Sequence, residues 1–214
     1  MSTQRVSRLL NHGATPLREQ GHIIDPRLAS ENEALSEEIA RLRLRVLDLE
    51  RAADTDPLVP IYNRRAFMRE VQRAQTVMAR YDMLSTMIYI DLNGFKSIND
   101  RFGHAIGDAL LKKIGEVLLT GVRDCDMVAR LGGDEFGVLL FKTTPKIARA
   151  KAGALVCRIA GQKVDMPTDP VSVTAAWGVA PCEAEDTPEQ ILDRADRAMY
   201  MAKRSQNEDS APDP

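Results

Sequence analysis

Two short apolar runs separated by a pair of glycines constrain the fold of this chain more than any other stretch. Met127, Val128, Ala129 and Leu131 precede Gly132-Gly133, and Val138, Leu139 and Leu140 follow it. Such a pattern predicts a β-hairpin, with the glycines expected to supply the positive φ angles of a tight turn. A hairpin imposes antiparallel pairing on a chain whose apolar periodicity otherwise alternates between strand and helix. The expected class is therefore α+β, with a central mixed, largely antiparallel sheet wrapped by helices, and not a doubly wound parallel sheet. The hairpin tip also carries two adjacent carboxylates, Asp134 and Glu135. Acidic turn residues are ordinarily just solvated, so their meaning depends on what the fold places beside them.

The remaining elements follow from periodicity and punctuation. Helices are expected over 61–80, from Gly94 to Asn99, and over 107–120, 145–159 and 188–203. Strands are expected over 86–91 and 171–180, besides the two of the hairpin. Residues 54–207 would form the domain, and the polar, Pro-containing residues 208–214 a disordered tail. Residues 1–27, punctuated by Gly13, Pro16, Gly21 and Pro26, predict a flexible or partly helical arm.

Between the arm and the domain the pattern changes. Leu28, Leu35, Leu42 and Leu49 recur every seventh residue, and Asn32, Ile39, Val46 and Ala53 fall midway between them. Leucine at d, β-branched residues at two a positions and one polar Asn favour a parallel two-stranded coiled coil over 28–53, with the Asn fixing register. In that register Glu38 would face the partner's Arg43, and Arg45 the partner's Glu50. Leu44 and Leu47 lie off the seam, and the same heptads also suit a single amphipathic helix packed on its own domain.

A net charge of −2 with 28% charged residues lacks the basic excess of a general nucleic-acid binder. The apolar runs are too short to span a bilayer, and Met1–Leu10 has no signal-peptide core. Cys125, Cys157 and Cys182 have no metal-ligand spacing and cannot all pair, which suits reduced thiols in a bacterial cytoplasm.

The segment Thr86–Ile90 is apolar on both faces, as in a central strand, and ends in Asp91-Leu92-Asn93-Gly94. A carboxylate there suits a hard divalent cation, although Asp91 would serve equally as a helix N-cap. If this strand neighbours the hairpin, Asp91 joins Asp134 and Glu135, and three close carboxylates repel unless a cation intervenes. Downstream, the Asn99 amide and the Asp108 carboxylate have the donors and acceptors to read a guanine edge, and Lys96 can face a phosphate.

Taken in order, Asp91-Leu92-Asn93-Gly94-Phe95-Lys96-Ser97-Ile98-Asn99-Asp100, Phe102-Gly103-His104, Gly107-Asp108 and Arg130-Leu131-Gly132-Gly133-Asp134-Glu135-Phe136 resemble the GGDEF-domain diguanylate cyclases. Asp56–Arg65 is similar to that family's opening motif and Ala195–Lys203 to its closing one. The resemblance covers about residues 54 to 205. It implies a fold like the nucleotidyl cyclases and polymerase palms, and condensation of two GTP into cyclic di-GMP with release of two pyrophosphates. It implies that Asp91, the Leu92 carbonyl, Asp134 and Glu135 hold Mg²⁺ or Mn²⁺, with Asp134 and Glu135 catalytic. Asn99 and Asp108 would read guanine, His104 would lie near the nucleotide, and Lys96 and Lys203 would neutralise phosphate. Arg123 and Asp126 match the family's R-x-x-D inhibitory motif for bound product. A homodimer through Leu28–Ala53 would bring two GTP-loaded domains together, with an unknown regulatory protein as the input.

Three departures stand out. Val59-Pro60 replaces the usual Thr-Gly, Asn93 replaces a frequent Asp, and Ser205-Gln206-Asn207 replaces Gly-Arg-Asn, losing one arginine. The competing expectation is an inactive domain acting as a cyclic di-GMP receptor or coiled-coil scaffold.

Overall fold

The computed structural model describes residues 26–164 and 170–208. The expected arm lies outside them up to residue 25, as does the expected tail from residue 209. The chain divides after Asp48 into two compact units.

A single helix, α1, runs Pro26–Asp54. Along it Leu35, Ile39, Leu42 and Val46 are 55%, 50%, 49% and 52% exposed, so no described residue covers that part of the heptad stripe. Leu44, off that seam, is exposed as well. Glu38 pairs with Arg41 of its own helix at 2.7 Å, a fully wet contact worth little.

The second unit contains β1 (Tyr62–Asn63), α2 (Arg64–Tyr81), β2 (Thr86–Leu92), α3 (Phe95–Phe102), α4 (His104–Leu119), β3 (Met127–Arg130) and β4 (Glu135–Leu140). It continues through α5 (Pro145–Ala160), β5 (Ala175–Pro181) and α6 (Pro188–Glu208). The five strands form one sheet in the order β1-β3-β4-β2-β5. Only β1 and β3 are parallel. The hairpin β3–β4 is present, with Met127 opposite Leu139 and Arg130 opposite Phe136.

Alternation along β2 sorts the core into two layers. Ile88, Ile90 and Leu92 face one way, with Phe136, Val138 and Leu140 of β4, against α4 (Leu110, Leu111, Ile114) and α5 (Ala152, Leu155, Ile159). Met87 and Tyr89 face the other way, against α2 (Phe67, Val71) and α6 (Ile191, Ala195, Met199). Asp91, two residues beyond Tyr89, falls on the α2/α6 side where the sheet runs out.

Local signals account for the helix ends. Asn63 caps α2 by accepting from the Ala66 N–H at 3.0 Å, while its Nδ2 donates to the Ala53 and Thr55 carbonyls at the end of α1. Thr144 precedes Pro145 at the start of α5. Gly94 and Gly103, at φ 69° and 83°, bracket α3 in a backbone region that side chains disfavour.

Some boundaries differ from expectation. The segment 171–180 yields strand only from Ala175, while Val171 forms an isolated bridge with Val164. α4 starts three residues early, at His104, because Gly103 breaks the chain there. The two-residue β1 has no periodicity to reveal it.

Candidate active site

The β2–β4 register places Asp91 directly opposite Glu135. The Leu92 N–H donates to the Asp134 carbonyl at 3.2 Å, which stitches the hairpin turn to the end of β2. The turn is closed by the Leu131 N–H donating to the Glu135 carbonyl at 2.8 Å. Neither Gly132 nor Gly133 has positive φ, contrary to expectation. Gly132 is needed for room instead: a Cβ there would stand 2.3 Å from Glu135 Oε2. The Glu135 carboxylate thus folds over its own turn near buried Tyr89, whose hydroxyl is held above its ordinary value first by burial and then by this carboxylate.

Charge is crowded here. Burial, then the charges of Asp91 and Glu135, push the Asp134 carboxyl above its ordinary value. Asp196 of α6 is raised too, by burial and then by Glu135. Lys203 partly offsets this, its Nζ lying 3.2 Å from Asp91 Oδ1. Gly178 of β5 brings Lys203 within reach: a Cβ there would run into the Ala195 carbonyl and the Met199 N–H, so α6 lies against the strand with no side chain between.

Among the described residues no three His, Cys, Asp or Glu side chains converge as a ready-made metal cage. Mg²⁺ does not require one, since it is usually held by one or two carboxylates together with substrate phosphates. An all-oxygen donor set whose charges repel one another fits such an ion.

The expected base-reading residues lie on the α3–α4 corner. Asn99 is half-buried, and Lys96, His104 and Asp108 are exposed. The Asn99 amide packs over Gly107, the neighbour of Asp108.

The Arg123–Asp126 turn is built by its own carboxylate. Asp126 accepts from the Arg123 and Phe141 N–H groups, both at 3.1 Å. Two cavities adjoin the turn. One, of about 350 Å³, is bordered by Arg69, Cys125 and Asp126, and the other, of about 390 Å³, by Arg73, Arg123 and Lys142. Arg69 and Arg73 were not singled out by sequence, although arginines at every fourth position (Arg65, Arg69, Arg73) would have marked that face of α2.

Arg130 was read only as part of a motif. It donates twice to the Gly133 carbonyl, at 3.2 and 2.7 Å, and reaches Asp56 at 3.3 Å. Asp56 Oδ1 in turn accepts from the Leu58 and Val59 N–H groups. The opening motif is thereby tied to the hairpin turn. Val59, one of the departures, is fully buried in a notch left by Gly115.

Comparison with known proteins gives a consistent picture. Residues 53–209 match the family model described as diguanylate cyclase, GGDEF domain. The chain is similar to the diguanylate cyclase DgcP of Pseudomonas aeruginosa, 36% identical over 162 residues, covering 74% of this chain and 24% of DgcP. The chain therefore spans about a quarter of that relative's length. Among solved structures, the diguanylate cyclase SiaD of P. aeruginosa, in complex with its activator SiaC, superposes with a TM-score of 0.71 at 30% identity, covering 84% of this chain and 69% of that one. The coiled coil and GGDEF domain of DgcB from Caulobacter crescentus, in complex with c-di-GMP, shares the fold with a TM-score of 0.75 at 23% identity, covering 83% and 95%.

Proposed function

This chain belongs to the GGDEF family of diguanylate cyclases, and from that membership we propose that it joins two GTP molecules into cyclic di-GMP. The observation that carries the reading is the register: Asp91 and Glu135 face each other across β2–β4, with Asp134 stitched beside them and Lys203 on Asp91. In each half-reaction the 3′-oxygen of one GTP attacks the α-phosphorus of the other. A P–O bond forms to that oxygen, and the bond to the departing pyrophosphate breaks. Asp134 takes the hydroxyl proton, a role that suits a carboxyl raised by burial and its neighbours. Asp91, the Leu92 carbonyl, Asp134 and Glu135 would hold Mg²⁺ or Mn²⁺, which when bound supplies charge neutralisation at the phosphates. Asn99 and Asp108 read guanine, His104 lies beside the nucleotide, and Lys96 and Lys203 face phosphate.

One domain offers one such half-site, so two copies must meet. The uncovered stripe of Leu35, Ile39, Leu42 and Val46 suits pairing of two α1 helices within the segment 28–53. Such pairing brings the two domains, residues 54–207, to an effective concentration of about millimolar. Product would return to Arg123 and Asp126, where the cavity bordered by Arg73, Arg123 and Lys142 suits an anionic dinucleotide. No helix among the described residues is long and apolar enough to cross a membrane. With three unpaired cysteines this suits work in a bacterial cytoplasm. A regulatory protein acting on the chain is in keeping with SiaD, which is bound to its activator.

The test is incubation of nucleotide-stripped protein with GTP and Mg²⁺, with products followed by chromatography. Cyclic di-GMP and pyrophosphate are expected. No turnover by a verified dimer, together with tight cyclic di-GMP binding, would replace the enzyme with a receptor.

A further inference from the structure

We propose that Gly107 is a positioning residue that sets base selectivity, by leaving the space in which the Asn99 amide is held. The proposal rests on the reading of Asn99 as a base-contacting group. α3 and α4 meet at Gly103, where the chain reverses in a backbone region closed to most side chains. The reversal lays the last turn of α3 on the first turn of α4, and the two helices touch at Gly107, which is buried. An ideal Cβ on Gly107 would stand 2.0 Å from Asn99 Oδ1 and 3.1 Å from both Asn99 Cγ and Phe95 Cζ. The amide therefore occupies the volume of the missing side chain. Buried Phe95 closes the space from below.

Two consequences follow. The amide end packed on Gly107 is Oδ1, which leaves Nδ2, a donor, for a ligand. A donor there matches the O6 and N7 acceptors of guanine and opposes the 6-amino group of adenine. The next residue along α4 is Asp108, whose carboxylate is exposed and accepts the guanine N–H groups. Gly107 thus brings an amide donor and a carboxylate acceptor together on one corner. The group a methyl at position 107 would chiefly displace is the end of a flexible side chain, and the Phe95 ring need give by only a few tenths of an ångström, so the helices can stay packed while the amide swings away. Disturbance falls on recognition before it falls on the fold.

The experiment compares wild type, Gly107→Ala, Asn99→Ala and the double variant. It measures equilibrium binding of the α,β-methylene analogues of GTP and ATP, with thermal unfolding of each protein as a control. These analogues cannot be condensed, so binding is read whether or not the chain is a cyclase. Gly107→Ala should weaken the GTP analogue about tenfold, the loss of one neutral hydrogen bond, and leave the ATP analogue within about twofold. In the Asn99→Ala background the same methyl should have no further effect, because the amide it displaces is gone. Equal weakening of both analogues, or the same loss in both backgrounds, overturns the proposal. If Gly107→Ala lowers the unfolding temperature, the double variant carries the same methyl without the amide. Full recovery of stability there supports the proposal, and persistent loss overturns it. Unchanged GTP-analogue binding by Asn99→Ala alone would instead remove the base-reading assignment on which the proposal stands.

Discussion

Replacing Glu135 with Gln should make the metal-free protein more stable while destroying its activity. Glu135 stands directly opposite Asp91 in the β2–β4 ladder, and like charges at directly opposed positions cost about 0.2–1 kcal/mol. Glu135 also contributes to the upward shifts of Asp134 and Asp196, so neutralising it relieves several repulsions together. Glutamine is the same size as glutamate and adds no volume over Gly132. The turn should therefore survive. For a domain of this size about 1 kcal/mol raises the midpoint by roughly 2–4 °C. The expected rise is therefore about 1–4 °C, measured by calorimetry in EDTA and 50 mM NaCl. In 1 M NaCl the Debye length falls to about 3 Å and most of the gain should vanish. Synthesis of cyclic di-GMP by the same variant should drop by about 10²–10³, the usual loss when one charge stabiliser is removed. A lowered or unchanged midpoint at low salt would refute the view that charge repulsion strains this site. Retained turnover would take Glu135 out of the reaction.

Arg123→Ala should leave synthesis intact but resistant to added cyclic di-GMP; equal inhibition of variant and wild type would remove the turn from the regulatory scheme. Leu35→Glu with Leu42→Glu should give monomers by light scattering and slow synthesis at least tenfold, and full activity from a verified monomer would break the link between α1 and catalysis. The raised Asp134 carboxyl means that the folded protein binds that proton more tightly than the unfolded chain does. Its contribution to metal-free stability should therefore improve as pH falls from neutral through its raised value toward the ordinary carboxylate value of about 4. Subtracting the pH profile of Asp134→Asn isolates that slope, and a slope of opposite sign would contradict the assignment.

Hydrophobic periodicity revealed most of the fold of the second unit, because every long element there has at least one face in a core. β2, buried on both faces, and the hairpin runs on either side of Gly132-Gly133 could be read directly. The two-residue β1 could not, since its pairing depends on where β3 lies. The glycines of the hairpin were legible as a turn but misread in cause. Their φ angles are ordinary, and the space beside Gly132 is filled by a carboxylate three residues away. Sequence separates those two reasons for a glycine only when the packing partner is known. The same limit hid Arg130, whose guanidinium spans from the Gly133 carbonyl to Asp56 across a large separation in the chain.

The α3–α4 corner and the hairpin illustrate how the site divides its requirements. Gly94 and Gly103 supply backbone freedom, so they sit where the chain must turn; Gly94 was visible as a turn into a helix, whereas Gly103 was legible only as part of a motif. Gly107, Gly132 and Gly178 supply empty space, taken up respectively by the Asn99 amide, the Glu135 carboxylate and the backbone of α6. Each of these three sets the position of a group assigned to base, metal or phosphate contact: Asn99, Glu135 and, through α6, Lys203. A methyl at 107 or 132 meets a movable side-chain end, whereas at 178 it meets backbone that cannot step aside. The first two glycines should therefore be functional in their first effect and the third structural. Gly178→Ala should cost about 1–3 kcal/mol of stability by overpacking, before any loss in turnover per folded molecule is counted. Chemical denaturation of Gly178→Ala beside Gly107→Ala would reveal that contrast, and equal midpoints for the two would argue against it.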